Sequence, residues 1–230
     1  MTKPKLFAVF AFRYDEELVP DLLKNISGIV DDYIAHDDRK SKKDWSHEGK
    51  IRNKLIKKAR KAGADWVLCL DPDERLEDNA KSKIRKLINT DQKVVYGFNF
   101  RELWTPKAYR IDGVWGNKKK FVLFPLLKGQ KFMNLRAHSQ WHPINQDYQH
   151  IETGINLYHL KNIDEKNRVA RKNLFKSIDP DNKIQKIGYD YLADETNLRL
   201  EKIPRNRKYS PPYKNSYNIT QVGNNSYKYY

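Results

Sequence analysis

Short apolar runs and helix-spaced apolar stripes alternate through the first hundred residues, and few architectures accept that alternation. Leu6 to Phe12 is a continuous apolar run, as a strand buried on both faces requires. Leu18, Leu22 and Ile26 then recur at helical spacing, with Pro20 close enough to the helix start to be tolerated. Asp32 to Ala35 is a second short strand and runs into His36, Asp37 and Asp38. Ile51, Leu55, Ile56 and Ala59 form the next helical stripe, with Ser46 as its N-cap and Gly63 as its C-cap. Trp66 to Leu70 is a third buried strand, Asn79 to Ile88 a helix with Ile84, Leu87 and Ile88 inward, and Val94 to Phe100 a fourth strand. This order specifies an α/β fold with a mostly parallel sheet flanked by helices. Ligands of such sheets sit at the carboxyl ends of the strands.

The pattern changes after Glu102. Residues 102 to 160 carry many aromatics, several glycines and two short strand candidates, Lys120 to Pro125 and Ile155 to Leu160. They read as an insertion that builds one wall of a cleft. Asp164 to Phe175 reads as a helix with Val169 and Leu174 inward, and Tyr189 to Leu192 as a short last element. One domain is therefore expected over residues 1–200, with halves meeting at residue 100. Residues 201–230, rich in Pro, Asn, Tyr and Lys, are expected to form a basic tail that hugs the surface or stays disordered.

Charge narrows the class of partner. The net charge of +16 on 230 residues implies an anionic partner such as phosphorylated ligands, nucleic acid or a membrane surface. The single cysteine, Cys69, excludes a disulfide framework and a zinc–cysteine site. Leu6 to Phe12 is too short for a secretory leader and lacks a cleavage pattern, and no apolar stretch approaches a membrane span. A cytoplasmic protein is expected, with the basic tail offering peripheral contact to an anionic membrane.

The stretch DWVLCLDPDE, Asp65 to Glu74, carries the most chemistry. A buried strand runs directly into three carboxylates. Asp71 and Asp73 are two apart and point the same way in extended chain. Pro72 has no amide hydrogen and ends ladder pairing, which lifts the pair to the carboxyl edge of the sheet. Like charges so close repel, and a hard divalent cation such as Mn2+ or Mg2+ resolves the repulsion. The plainer alternative is that Asp73 and Glu74 cap the helix that follows.

With those residues in place, GKIRNKLIKKARKAGADWVLCLDPDERL (Gly49 to Leu76) resembles the donor-site segment of family 2 glycosyltransferases. The resemblance covers residues 5 to 100 and continues weakly through Tyr158-His159-Leu160 and Arg168 to Tyr191. It implies a GT-A-type fold, a nucleotide diphosphate sugar as donor, and a metal ion held on the donor diphosphate by Asp71 and Asp73. Transfer to an acceptor hydroxyl on a glycan, a lipid-linked molecule or a protein, with inversion, follows from the family. Residues 1–100 would then be the donor half and 101–200 the acceptor half. The resemblance places Phe12, Arg13, Asp37 and Asp38 around the nucleotide, and Arg52 on the donor phosphates or nucleotide. His159 is implied as a third metal ligand. Arg39-Lys40-Ser41 stands where the family carries Asp-Gly-Ser, and its acceptor-side acidic motif has no clear match.

Each assignment has a plainer counterpart. Arg52 also fits the solvated face of a basic helix, Asp37 and Asp38 fit turn residues, and His159 fits a core histidine bonded to backbone. An inverting transfer needs a general base on the acceptor side. Asp112, in the aromatic loop Tyr109 to Gly116, is the first candidate and Glu102 the second, although Asp112-Gly113 is equally a turn former. Arg136, His138, Trp141 and His142 form a second polar–aromatic cluster, read as acceptor cleft wall or loop packing. A nucleic-acid-binding protein is the alternative outside enzymes, but no zinc-finger, helix-turn-helix or ribonucleoprotein motif is present, so nucleic acid is not the expected partner. A phosphatase or nucleotidyltransferase also uses paired aspartates. Neither the Gly-Thr that follows a phosphatase motif nor a glycine-rich first loop appears here.

Overall fold

In a computed structural model, the structure describes residues 3–13, 15–40, 48–134 and 140–214, together with the strand backbones 219–222 and 226–229. Ser41, Ser46, Arg136 and His138 lie outside the described residues.

The alternating segments fold as alternating elements. They are β1 (Leu6–Phe12), α1 (Val19–Ile26), β2 (Asp32–Asp37), α2 (Glu48–Lys61), β3 (Trp66–Cys69), β4 (Glu74–Leu76), α3 (Ala80–Leu87) and β5 (Val94–Thr105). β6 (Ala108–Arg110), β7 (Lys119–Pro125), β8 (Gln149–His159), α4 (Glu165–Ile178) and β9 (Leu200–Lys202) follow. One sheet runs in the order β2-β1-β3-β7-β5-β6-β9, with β8 beside β5 and β4 beside β8. β1 pairs in parallel with β2 and β3, and β5 pairs in parallel with β8. β7 enters antiparallel between β3 and β5. The chain is thus α/β, with helices flanking one central sheet.

The core sits where the apolar runs meet the stripes. Leu6, Ala8, Val67 and Leu68 are fully buried in the sheet, and Leu22, Ile26, Leu55, Ile56, Ala59 and Ile84 cover it from the helices. Gly63 closes α2 at φ +83°, and the Ala64 amide donates to the Ala59 carbonyl at 3.1 Å, a helix ending that wants glycine.

Three sequence expectations are corrected. Val169 is 37% exposed and Leu174 half-buried, while Asn167 and Arg168 are the buried residues of α4. The inner face of that helix meets polar groups: Arg168 donates to the Asn162 carbonyl at 2.8 Å and to Glu195 at 2.7 Å. No break falls at residue 100, because β5 runs through it. The tail does not begin at 201. Leu200–Lys202 pairs with β6, Tyr209 is buried, and Arg207 reaches the buried Glu77 at 2.6 Å. β10 (Ile219–Val222) and β11 (Ser226–Tyr229) form an antiparallel hairpin. Among the described residues no helix is long and apolar enough to cross a membrane.

Candidate functional site

A cleft of about 670 Å³ opens at the carboxyl ends of β1 and β3, where the strand order predicts a ligand. β3 ends at Cys69, and the chain turns through Asp71-Pro72-Asp73 into β4. The Glu74 amide donates to the Asp71 carbonyl at 3.0 Å, and Glu74 accepts from the Asp71 amide at 3.0 Å, so the turn is closed from both sides. Arg75 fixes it from beneath. Its guanidinium donates to the carbonyls of Pro72 and Glu74, both at 2.7 Å, and to that of Leu18 at 3.2 Å. Helix capping by Asp73 and Glu74 does not occur, because β4 intervenes and α3 begins only at Ala80.

β8 lies between β4 and β5, so Glu74, His159 and Glu102 sit in one cross-strand row. The His159 Nε2 is 3.0 Å from Asp73 Oδ2, and its Nδ1 is 2.5 Å from Glu102 Oε2. Burial alone would strip the proton from His159, but the carboxylates of Asp73 and Glu102 overrule it and push the imidazole up to about 9. Burial also opposes the Asp73 charge, yet Lys161 at 3.4 Å and His159 hold its carboxyl well below the usual range. Glu102 accepts from Lys118 at 3.1 Å and from Asn162 at 2.9 Å, and its carboxyl is likewise lowered. Lys120, 3% exposed, sits against the fully buried Glu74 and 3.4 Å from Asp71, under the Trp141 ring. Burial pushes Glu74 up to about 7 against the pull of Lys120.

The predicted donor residues divide. Phe12, Arg13, Asp38, Arg52, Asp71 and Asp73 all line the cleft. Arg13 and Asp38 hold each other at 3.2 Å. Arg52 donates to the Gln140 carbonyl at 2.7 Å and lies 4.0 Å over the Trp141 ring. Asp37 is not among the lining residues and grips Arg39 at 2.6 Å instead. Asp112 lies outside the cleft, where Arg110 donates to it at 2.8, 2.9 and 3.0 Å and the Arg199 amide at 3.0 Å. These bonds hold its carboxyl down to about 2, which is a poor setting for a general base. Glu102 does reach the cleft, but it faces His159.

Sequence reading did not single out Asp15, Lys161 and Arg171, which line the cleft, or Lys120, which lies buried behind Asp71. Lys120 stands at the polar start of an apolar strand, and Lys161 and Arg171 lie on a loop and helix whose polarity looked like surface, so no local signal marked them. Asp15 follows β1 and lines the cleft, and burial pushes its carboxyl up to about 7 against Lys161, with the charges of Asp73 and Asp71 adding to the rise.

Among the described residues no three His, Cys, Asp or Glu side chains converge on one point by themselves. Mg2+ and Mn2+ need fewer, since one or two carboxylates serve when substrate phosphates and water complete the shell. Asp73 and His159 face each other at ligand spacing, and Glu102 holds the far ring nitrogen as a metal-bound histidine requires. The donor set therefore fits an ion completed by substrate, at the cost of the His159 proton.

That proton has a consequence for the metal-free protein. A histidine raised from 6.5 to about 9 contributes stability that is fully present below pH 6.5 and lost as pH rises through 9. The advantage of wild type over His159→Gln in urea unfolding should therefore shrink between pH 7 and 9.5. A constant difference across that range would show that His159 carries no folded-state charge.

No family model matches the chain, and no curated protein matches it in sequence. Among solved structures it is similar to TarS of S. aureus, with 13% identity and a TM-score of 0.45, over 75% of this chain and 39% of that one. It is also similar to a glycosyltransferase involved in glycosylation of the major capsid of PBCV-1, with 17% identity and a TM-score of 0.30, over 43% of this chain and 52% of that one. The chain spans less than two thirds of either.

Proposed function

We propose that the chain transfers a sugar from a nucleotide diphosphate sugar to an acceptor hydroxyl, with inversion, as a metal-dependent glycosyltransferase of the GT-A type. The observation that carries this reading is the Asp71-Pro72-Asp73 turn at the carboxyl end of β3, with His159 3.0 Å from Asp73, in a cleft lined by Arg13, Arg52, Lys161 and Arg171. A diphosphate leaving group needs that density of positive charge as the sugar bond breaks. Bound Mn2+ or Mg2+ would act as a Lewis acid on the diphosphate, held by Asp71 and Asp73, with His159 joining once deprotonated. Lys161 neutralises Asp73 before donor arrives and is placed to turn to phosphate oxygens afterwards, while Lys120 stays buried against Glu74 behind Asp71. Phe12, Arg13 and Asp38 would receive the nucleotide, and Arg52 the phosphates. The half-buried Tyr191 on the cleft lining suits a sugar ring on the acceptor, whether glycan, lipid-linked or on protein.

Thermal stabilisation by a panel of nucleoside diphosphates, with and without Mn2+, tests the reading, since a ligand of the folded state must raise its apparent stability. One nucleotide should raise the midpoint only with Mn2+, and EDTA should reverse the shift. The absence of any diphosphate shift, beside salt-sensitive binding of DNA or RNA, would instead favour a nucleic-acid partner.

A further inference from the structure

Outside the cleft, two histidines meet nitrogen to nitrogen. His142, 8% exposed, and the exposed His150 place their Nε2 atoms 3.2 Å apart. His150 Nδ1 lies 3.1 Å from the Tyr148 carbonyl, which only accepts, so this nitrogen carries the hydrogen. A neutral His150 therefore presents a lone pair at Nε2. A neutral His142 either donates its Nε2 hydrogen to that lone pair or, with the hydrogen on Nδ1, turns a second lone pair to the same point.

In the second arrangement the two lone pairs repel unless a proton or a metal ion lies between them. Burial, and then His150, push His142 down to about 4, which disfavours a shared proton at neutral pH. A metal suits the geometry. Two nitrogens on one tetrahedral zinc, each about 2.0–2.1 Å away, stand about 3.3 Å apart. A ring nitrogen that meets a backbone carbonyl, as His150 Nδ1 meets that of Tyr148, is also how proteins orient metal-bound histidines. Imidazole pairs prefer zinc, copper or nickel to the hard ions that suit the cleft carboxylates.

We propose that His142 and His150 form a two-imidazole site for a borderline transition ion, Zn2+ in the first instance, with water completing its shell through the exposed His150. The site is independent of the donor cleft and of the function assigned to it. An ion there would tie the segment that carries Trp141 to the start of β8. Because Trp141 covers Lys120 and Arg52, the ion would stiffen one wall of the cleft.

The test uses untagged full-length protein stripped with chelator and titrated with Zn2+ alone by calorimetry, alongside thermal midpoints. Wild type should bind Zn2+ saturably and gain midpoint. His150→Ala, a change at an exposed position, should lose at least tenfold in affinity and the thermal gain. Asp71→Asn should retain both, and a hundredfold excess of Mg2+ should not displace the zinc. The proposal is overturned if wild type shows no saturable binding, if His150→Ala binds as wild type does, or if Asp71→Asn or excess Mg2+ abolishes binding.

Discussion

Lys120→Ala should lower the unfolding free energy by about 3–5 kcal/mol, because breaking a buried pair strands the surviving charge. The stranded charge is Glu74, whose side chain is 0% exposed. Its only relief is to take up a proton, and burial already pushes its carboxyl up to about 7 with Lys120 present. Removing Lys120 raises it further, so the penalty in urea unfolding should be larger at pH 8 than at pH 5. Lys120→Met with Glu74→Gln removes both charges, keeps an acceptor for the Asp71 amide and fills the same volume. That double variant should recover most of the lost stability. If Lys120→Ala unfolds within about 1 kcal/mol of wild type at pH 8, the ammonium is not the counter-charge of Glu74. A double variant no better than the single one would mean that Lys120 acts through its packing under Trp141.

The scaffold was legible because its signals are local. A strand buried on both faces must be apolar throughout, so β1 and β3 announced themselves at Leu6 to Phe12 and Trp66 to Leu70. Helix stripes at Leu55, Ile56 and Ala59 did the same. The acidic turn was legible for the same reason, since a strand that ends in Asp-Pro-Asp is a local event. Strand lengths past residue 100 were harder. β8 extends back to Gln149 through a polar stretch, because its pairing with β5 comes from the partner and not from its own pattern. The polar network was illegible on principle. Glu102, His159 and Asp73 are far apart in sequence and meet only through the β5–β8–β4 register. Asp112 shows the converse: it looked like a site residue beside aromatics, and its own neighbour Arg110 two residues back claims it. Likewise the inner face of α4 is polar, so an argument from apolar spacing selected Val169 and Leu174 on the wrong face.

Asp71→Asn separates chemistry from folding more cleanly than any change at Asp73. The Asp71 side chain is 35% exposed at the cleft, with Lys120 at 3.4 Å, so its loss should move stability by no more than about 0.5 kcal/mol. Asp73, 2% exposed, neutralises both His159 and Lys161, and Asp73→Asn leaves the buried His159 and the partly exposed Lys161 facing a neutral amide. That variant should unfold at lower urea as well as losing activity, and the two effects cannot be told apart. Stabilising a departing diphosphate through a metal supplies several kcal/mol, so removal of one carboxylate should cost about 100-fold or more in kcat/KM. Before any acceptor is known the reaction can be followed as donor hydrolysis, water taking the sugar and the nucleoside diphosphate being released from whichever donor the thermal panel selects. Asp71→Asn should then show a normal midpoint, a hundredfold loss of turnover and a weaker dependence on Mn2+. If Asp71→Asn instead turns over within threefold of wild type at saturating Mn2+, the carboxylate is no part of the ion's shell. The positive ring of Arg13, Lys161 and Arg171 would then have to carry the leaving charge without it.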